Sequence, residues 1–186
     1  KDQLAASEWL YMEGYLVTDD ERTEVAQKTM AFAKEQGVKT SLSLSDPFVV
    51  EVFAQNIAKV IGDGVDLLFC NKDEALSYTQ TKDLKSAIEG LKAIAKTFVI
   101  TQGEHGATAF DGQQVMSAKG VITEAVDTNG AGDMFAGAFL YAITSGHNYG
   151  WALSFANAAA ARVVSRFGPR IDLLEYDRLK NEFGIN

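Results

Sequence analysis

One cysteine, Cys70, stands in a chain of 186 residues. That excludes an intrachain disulfide framework and suits a reducing compartment. Cationic residues are also scarce: 17 Lys and Arg face 25 Asp and Glu, for a formal net charge of −8. This balance speaks against a general nucleic-acid-binding surface, although backbone N–H groups can hold a phosphate without net positive charge. No apolar run approaches the roughly 18 residues that cross a bilayer, and no secretory leader is visible. These absences point to a cytoplasmic protein with neither nucleic acid nor membrane as partner. Internal repeats, low-complexity tracts and interdomain linkers are missing too, so one α/β domain, or the larger part of one, is expected over residues 1–186. Nor is there an initiator methionine. The chain opens Lys1-Asp2-Gln3 and enters folded-looking sequence at once, as expected of a fragment or a processed chain.

What is present is a globular composition, 47% hydrophobic and 10% aromatic, at a length that can bury a real core. Trp9 to Val17 is an aromatic and aliphatic run suited to a buried strand. Thr18-Asp19-Asp20 supplies N-cap residues for a helix to Gln36, with Val25, Thr29, Phe32 and Ala33 as its apolar stripe and Gly37 as its stop. Val38 to Leu44 follows as a strand, and Ser45-Asp46-Pro47 starts a helix to about Ile61. Val65 to Cys70 is an apolar run of the fully buried kind. Asn71-Lys72-Asp73-Glu74 then opens a short helix, and Asp83 to Ala95 reads as another. Thr97 to Thr101 is a strand, and Ala107–Phe110 with Gln113–Met116 form a hairpin around Asp111-Gly112. Gly120 to Val126 is β-branched and reads as a further strand. Helices to Ser145, from Asn148 to Ser165 and from about Asp172 complete the chain. Strands alternating with helices imply βαβ units and a mainly parallel sheet with right-handed crossovers.

The densest signal is Val126-Asp127-Thr128-Asn129-Gly130-Ala131-Gly132-Asp133-Met134-Phe135. After it, Phe135, Ala138, Phe139 and Ala142 recur at the spacing of a buried helical face. The turn therefore delivers the chain into a helix N-terminus, with glycines where the backbone must approach something closely. The first N–H groups of a helix lack internal partners and carry the positive end of its dipole. Gly130, Ala131 and Gly132 thus form a candidate anion cradle, with Asp133 beside it as a candidate base. Asp is also a common first-turn residue for capping alone, so the residues by themselves leave both readings open.

Ligands in open α/β sheets sit beyond the carboxyl ends of the strands. Asn71 and Glu74 follow one expected strand, Thr101, Gly103 and Gly106 a second, and Gly130–Asp133 a third. Asn-x-x-Glu alone is a capping pattern; the coincidence at one edge is what makes a candidate site. No Gly-x-Gly-x-x-Gly opens a first βαβ unit, which speaks against a dinucleotide-binding oxidoreductase.

The run Asp127-Thr128-Asn129-Gly130-Ala131-Gly132-Asp133 resembles the C-terminal signature of the ribokinase-like (PfkB) family of carbohydrate and nucleoside kinases. The resemblance extends over almost the whole chain. It implies the C-terminal part of a three-layer α/β domain, a mainly parallel sheet flanked by helices, with the N-terminal part and its lid outside this chain. The implied chemistry is phosphoryl transfer from ATP to a hydroxyl of a small sugar or nucleoside. Asp133 is then the base, and Gly130, Ala131 and Gly132 stabilise the transferred group. Asn71 and Glu74 match the family's Asn-x-x-Glu, which orders magnesium-bound waters; hard oxygen ligands acting through water suit Mg2+. Thr101-Gln102-Gly103-Glu104-His105-Gly106 matches its nucleotide loop, with His105 an exposed loop residue.

The helix Phe155-Ala156-Asn157-Ala158-Ala159-Ala160-Ala161 resembles the one whose polar residue flanks adenine, which would be Asn157. Its alanines alone read as a closely packed helix. Ser165-Arg166-Phe167-Gly168, with residues near Asp127 and Asn129, matches a monovalent-cation site, implying K+. In the family the lid commonly forms a homodimer contact. Ser43–Phe48 and Asp66–Ala75 resemble the adenosine kinase branch, and sugar kinases of the ribokinase, fructokinase and 2-keto-3-deoxygluconate kinase types share similar segments. A non-catalytic nucleotide-binding fragment is the remaining alternative, against which the presence of Asp133 argues. Phe48 follows a strand end and suits either core packing or the face of a base or sugar.

Overall fold

Acidic and amide side chains open most helices of this structure, a computed structural model that describes residues 1–185. The chain divides into two compact units, residues 1–101 with 110–114, and residues 102–109 with 115 onward.

The first unit begins with a single turn, α1 (Asp2–Ala5), and continues as β1 (Trp9–Glu13), α2 (Asp20–Glu35), β2 (Lys39–Ser43), α3 (Pro47–Ile61), β3 (Val65–Asn71), α4 (Lys72–Thr79), α5 (Leu84–Leu91) and β4 (Ala95–Thr101). Asp19 caps α2 by accepting the Arg22 N–H at 2.8 Å. Asp46 caps α3 with Pro47 in the first turn, and Asp83 caps α5. Each such cap supplies about 1 kcal/mol by satisfying an N–H that the helix cannot.

The four strands are parallel neighbours in chain order. The register pairs Glu13 with Ser43, Ser43 with Phe69, Phe69 with Val99 and Asn71 with Thr101, so the carboxyl ends of all four lie along one edge. Leu67, Leu68, Phe69 and Cys70 are successive and all buried, as are Phe98, Val99 and Ile100. Side chains alternate between faces of a strand, so both faces are covered here, the condition for a parallel sheet. Burial of each large side chain contributes roughly 1.5–3 kcal/mol.

Several expected boundaries shift. The run from Trp9 to Val17 is a strand only to Glu13, and Gly14–Val17 is a 3-10 turn. The Gly14 N–H donates to Ser45 Oγ at 2.7 Å, and a Cβ on Gly14 would lie 2.6 Å from the Leu44 carbonyl oxygen, which draws the chain out of the ladder. On α2 the buried face is Thr23, Ala26, Met30 and Ala33. Val25 is 60% exposed, so the expected stripe was rotated by about one residue. The helix from Asp83 ends at Leu91, and β4 begins at Ala95 rather than Thr97.

The second unit holds the hairpin strands β5 (Ala107–Phe110) and β6 (Val115–Ala118), then α6 (Ala131–Thr144), α7 (Tyr149–Val164) and α8 (Leu173–Glu182); Phe110 and the turn after it are counted with the first unit. Asp111 Oδ1 accepts the N–H groups of Gln113 and Gln114, which places those two residues in the turn and moves β6 two residues beyond the expected Gln113–Met116. Phe139 packs edge-on to Tyr149 and Tyr141 against Phe155, joining α6 to α7. Ala152, Ala156 and Ala159 are fully buried on α7, as a close helix contact requires. Arg162 bridges to Glu175 and Glu182, tying α7 to α8.

The expected strand from Gly120 to Val126 does not form: no residue of 119–130 is extended in a ladder. Val121 is 48% exposed and Ile122 fully exposed. A β-branched run becomes a strand only beside a partner, and this one has none among the described residues.

Its first residue is nonetheless tightly held. A Cβ on Gly120 would lie 2.3 Å from the Glu104 carbonyl oxygen, and one on Gly106 would lie 2.1 Å from that of Ala118. Two backbones pass each other there with glycine on both sides. Gly120→Ala is therefore expected to cost about 1–3 kcal/mol, the usual range for overpacking, although its neighbours Val121 and Ile122 look like open surface. Urea unfolding measures this; a midpoint equal to wild type would show that the loop yields instead.

Candidate active site

The carboxyl edge of the first unit's sheet carries the first group of candidate residues. Asn71 ends β3 and is the N-cap of α4, with Glu74 three residues on. Asn71 Oδ1 accepts the Glu74 N–H at 2.8 Å, Glu74 Oε2 accepts the Asn71 N–H at 2.9 Å, and Asn71 Nδ2 donates to Glu74 Oε1 at 2.6 Å. This is a complete capping box, and Thr101 lies beside Asn71 in the ladder.

Glu74 differs from an ordinary cap in being buried, with 4% of its surface exposed. Burial lifts its carboxyl from the usual 4.5 to about 7; the Asn71 N–H opposes this, while Asp46, Asp73 and Glu13 add to it. Glu13 and Asp46 were not singled out in the sequence. Their signal was position, since Glu13 ends β1 and Asp46 follows β2. Ser45 links the two, donating to Glu13 Oε2 at 2.7 Å from a left-handed backbone with φ 72°.

In the second unit, Gly103–His105 is a 3-10 turn closed by Gly106 at φ 94°, and His105 is exposed. The Gln102 N–H donates to the Gly106 carbonyl at 2.8 Å, so the loop folds back on itself. Gly106 is a glycine because of both its φ and its contact with residues 118–120.

Helix α6 begins as the motif suggested, with Gly130 as N-cap and Ala131, Gly132 and Asp133 in its first turn. It is reached from irregular chain rather than from a strand end. Side chains cap α2, α3, α4, α5, α7 and α8, but none caps α6. Its first-turn N–H groups are therefore not claimed by a capping side chain.

The two glycines of the cradle differ. Gly130 has φ +75°, and a Cβ there would lie 2.6 Å from Pro169; a Cβ on Gly132 would meet nothing within 4 Å. What Gly130 approaches closely is Pro169, a residue the sequence reading did not select, so Gly130 has a structural role. Only Gly132 faces open space. Asp133 is exposed and opens on a cavity of about 520 Å3 whose lining includes Met134, Gly137, Tyr141 and Arg170.

Asp127, Asn129 and Gly168 are brought together. Asp127 Oδ1 accepts the Asn129 N–H and Oδ2 the Gly168 N–H, each at 3.0 Å, and these bonds hold its carboxyl below the usual carboxylate range. Asn157 is buried in α7, where its Nδ2 donates to the carbonyls of Lys119 at 3.1 Å and Ala118 at 3.3 Å. Phe48 is 64% exposed, which removes core packing as its role. Among the described residues, no three His, Cys, Asp or Glu side chains are placed to hold a metal directly, and no helix is long and apolar enough to cross a membrane.

Residues 1–175 match the description "pfkB family carbohydrate kinase". Adenosine kinase of Saccharomyces cerevisiae is 29% identical over 90% of this chain and 52% of its own length. Ribokinase of Haemophilus influenzae is 29% identical over 89% of this chain and 52% of its own. The crystal structure of adenosine kinase from Sinorhizobium meliloti superposes with a TM-score of 0.88 at 31% identity, over 95% of this chain and 55% of that one. The chain thus spans about half the length of these relatives.

The raised Glu74 carboxyl sets a pH dependence. Its folded pKa, about 7, exceeds the ordinary 4.5, so its contribution to stability is present below about 4.5 and is lost as pH rises through about 7. Denaturant unfolding between about pH 5 and pH 8 is expected to show wild type losing more stability than Glu74→Gln, by up to about 3 kcal/mol. Parallel pH curves for the two proteins would mean that Glu74 is not the group responsible.

Proposed function

The chain belongs to the pfkB family of carbohydrate kinases, and we propose that it carries the ATP side and the catalytic base of a phosphotransferase acting on a hydroxyl of a sugar or nucleoside. The observation that carries this reading is the start of α6, an uncapped helix N-terminus with open space at Gly132 and an exposed Asp133 in the first turn. The acceptor oxygen attacks the γ-phosphorus of ATP and its proton passes to the Asp133 carboxylate. The bond to the bridging oxygen breaks, with its electron pair leaving on ADP. Negative charge on the transferred group meets the first-turn N–H groups of α6, so the protein's contribution is electrostatics and positioning. Thr101, Gly103 and Gly106 line the nucleotide's path along the 102–106 loop.

Asn71 and Glu74 would hold magnesium through water, and the metal, when bound, neutralises polyphosphate charge. The fit rests on Glu74: a buried carboxylate beside three other acids is a place where a divalent cation's charge is favourable. Carbonyl oxygens near Asp127, Asn129 and Gly168 would hold potassium; the Asp127 carboxylate is already engaged by two N–H groups. A cytoplasmic location and a homodimer formed by residues outside this chain complete the proposal.

The acceptor we favour is adenosine. Support comes from the Ser43–Phe48 and Asp66–Ala75 segments, from the adenosine kinase relatives and from the exposed Phe48, which suits the face of a base. Similarity to a ribokinase at the same identity keeps sugar acceptors as the second reading.

In a protein that includes the remaining half of the kinase fold, Asp133→Asn is expected to lower turnover by about 10²–10⁴ with ATP affinity within a few-fold of wild type. Near-normal turnover would sink the assignment. Gly132→Val is expected to keep the wild-type melting temperature while losing turnover worth roughly 2.7–4 kcal/mol, the cost of a lost oxyanion-type donor. If it melts far below wild type, Gly132 is structural. A coupled assay against adenosine, inosine, ribose and fructose should give adenosine the highest kcat/KM; a higher value for ribose or fructose would move the acceptor to the sugars.

A further inference from the structure

Asn157 lies in the middle of α7 with 8% of its surface exposed. An amide nitrogen has two hydrogens to donate, and two carbonyl oxygens face this one, Lys119 at 3.1 Å and Ala118 at 3.3 Å. Those neighbours fix the amide's orientation, because its oxygen turned toward two carbonyls would find no donor. The amide nitrogen is therefore engaged within the protein.

The segment they hold is the one pressed against the 102–106 loop. A Cβ on Gly106 would lie 2.1 Å from Ala118 O and 2.5 Å from Gly120 N, and one on Gly120 would lie 2.3 Å from Glu104 O. Ala118-Lys119-Gly120 is thus clamped between the Asn157 side chain on one side and the loop backbone on the other. Gln102 Nε2 donates to Thr108 Oγ1, and Thr108 shares a hydrogen bond with Ser117, both at 2.9 Å. The start of the loop is in this way tied to β6 as well.

We propose that Asn157 is a positioning residue for the 102–106 loop: it sets the loop's shape through the Ala118 and Lys119 carbonyls, and its amide nitrogen does not read a nucleobase. That the loop receives a nucleotide rests on the function proposed above; the clamp itself does not. A base-reading amide and a loop-holding amide differ in what they do to nucleotide selectivity. Losing the first changes the preference among bases, whereas losing the second weakens every nucleotide alike.

The test uses the 186-residue chain and its Asn157→Asp variant, which keeps the shape but turns an acceptor toward two carbonyls. Hydrogen exchange in residues 102–106 and 118–120 is expected to speed up about fivefold to tenfold, the effect of one lost hydrogen bond, with β3 and β4 unchanged. Dissociation constants for ATP and GTP are expected to rise by the same factor, leaving their ratio as in wild type. A shifted ATP-to-GTP ratio with exchange unmoved would overturn the proposal. If Asn157→Asp does not fold, Asn157→Ala is read by the same exchange; faster exchange confined to the two segments supports the clamp, and unchanged exchange overturns it. Wild type that binds neither nucleotide would defeat the kinase reading, while the exchange result would still decide the role of Asn157.

Discussion

Gly130 enters α6 at φ +75° with its α-carbon against Pro169, and what the helix N-terminus can do depends on that contact. A side chain is excluded there twice, by backbone hand and by space, so the position that caps most other helices cannot cap this one. No side chain claims the first-turn N–H groups as a direct consequence, and the Ala131 N–H donates to the Thr128 carbonyl at 3.3 Å. Asp127 reinforces the arrangement by bonding forward to Asn129 and across to Gly168, which brings the 165–170 loop onto the turn. Two residues on, Gly132 has no neighbour to avoid. One glycine is needed for packing, and the other is not.

Glu74 shows the same overlap of structure and chemistry, and magnitudes separate the two. A capping box contributes about 1 kcal/mol. Burying that carboxylate beside three acids raises its pKa to about 7, an opposing effect of about 3 kcal/mol once the group is charged. Capping alone does not account for the cost, since Asp19 and Asp83 cap their helices from exposed positions. A nearby cation would offset this cost, so the burial of Glu74 supports the magnesium role proposed from the Asn-x-x-Glu pattern.

A second close backbone contact at glycine lies where Gly106 meets Gly120. There the chain places two irregular segments at backbone distance and holds them with a buried amide from α7. Irregular segments need such devices, because they lack the ladder or helix bonds that satisfy backbone groups elsewhere.

Much of this was legible from short stretches of chain. The caps at Asp19, Asp46, Asn71, Asp83, Asn148 and Asp172 and the hairpin at Asp111-Gly112 all rest on interactions spanning a few residues, so a local reading finds them. The buried runs at Leu67–Cys70 and Phe98–Ile100 are likewise legible as uninterrupted apolar stretches. Other features came only with the tertiary structure. Gly120–Val126 has strand composition but no ladder partner, and Val25 has helical spacing but faces out. Gly120 looks like the start of a strand and is one side of a tight backbone-to-backbone loop contact. Pro169 governs Gly130 from 39 residues away, and Asn157 reaches carbonyls 38 and 39 residues before it. Local backbone preference is set by neighbours along the chain, whereas ladder partners, buried faces and backbone-to-backbone contacts are set by residues distant in sequence, which a local pattern does not encode.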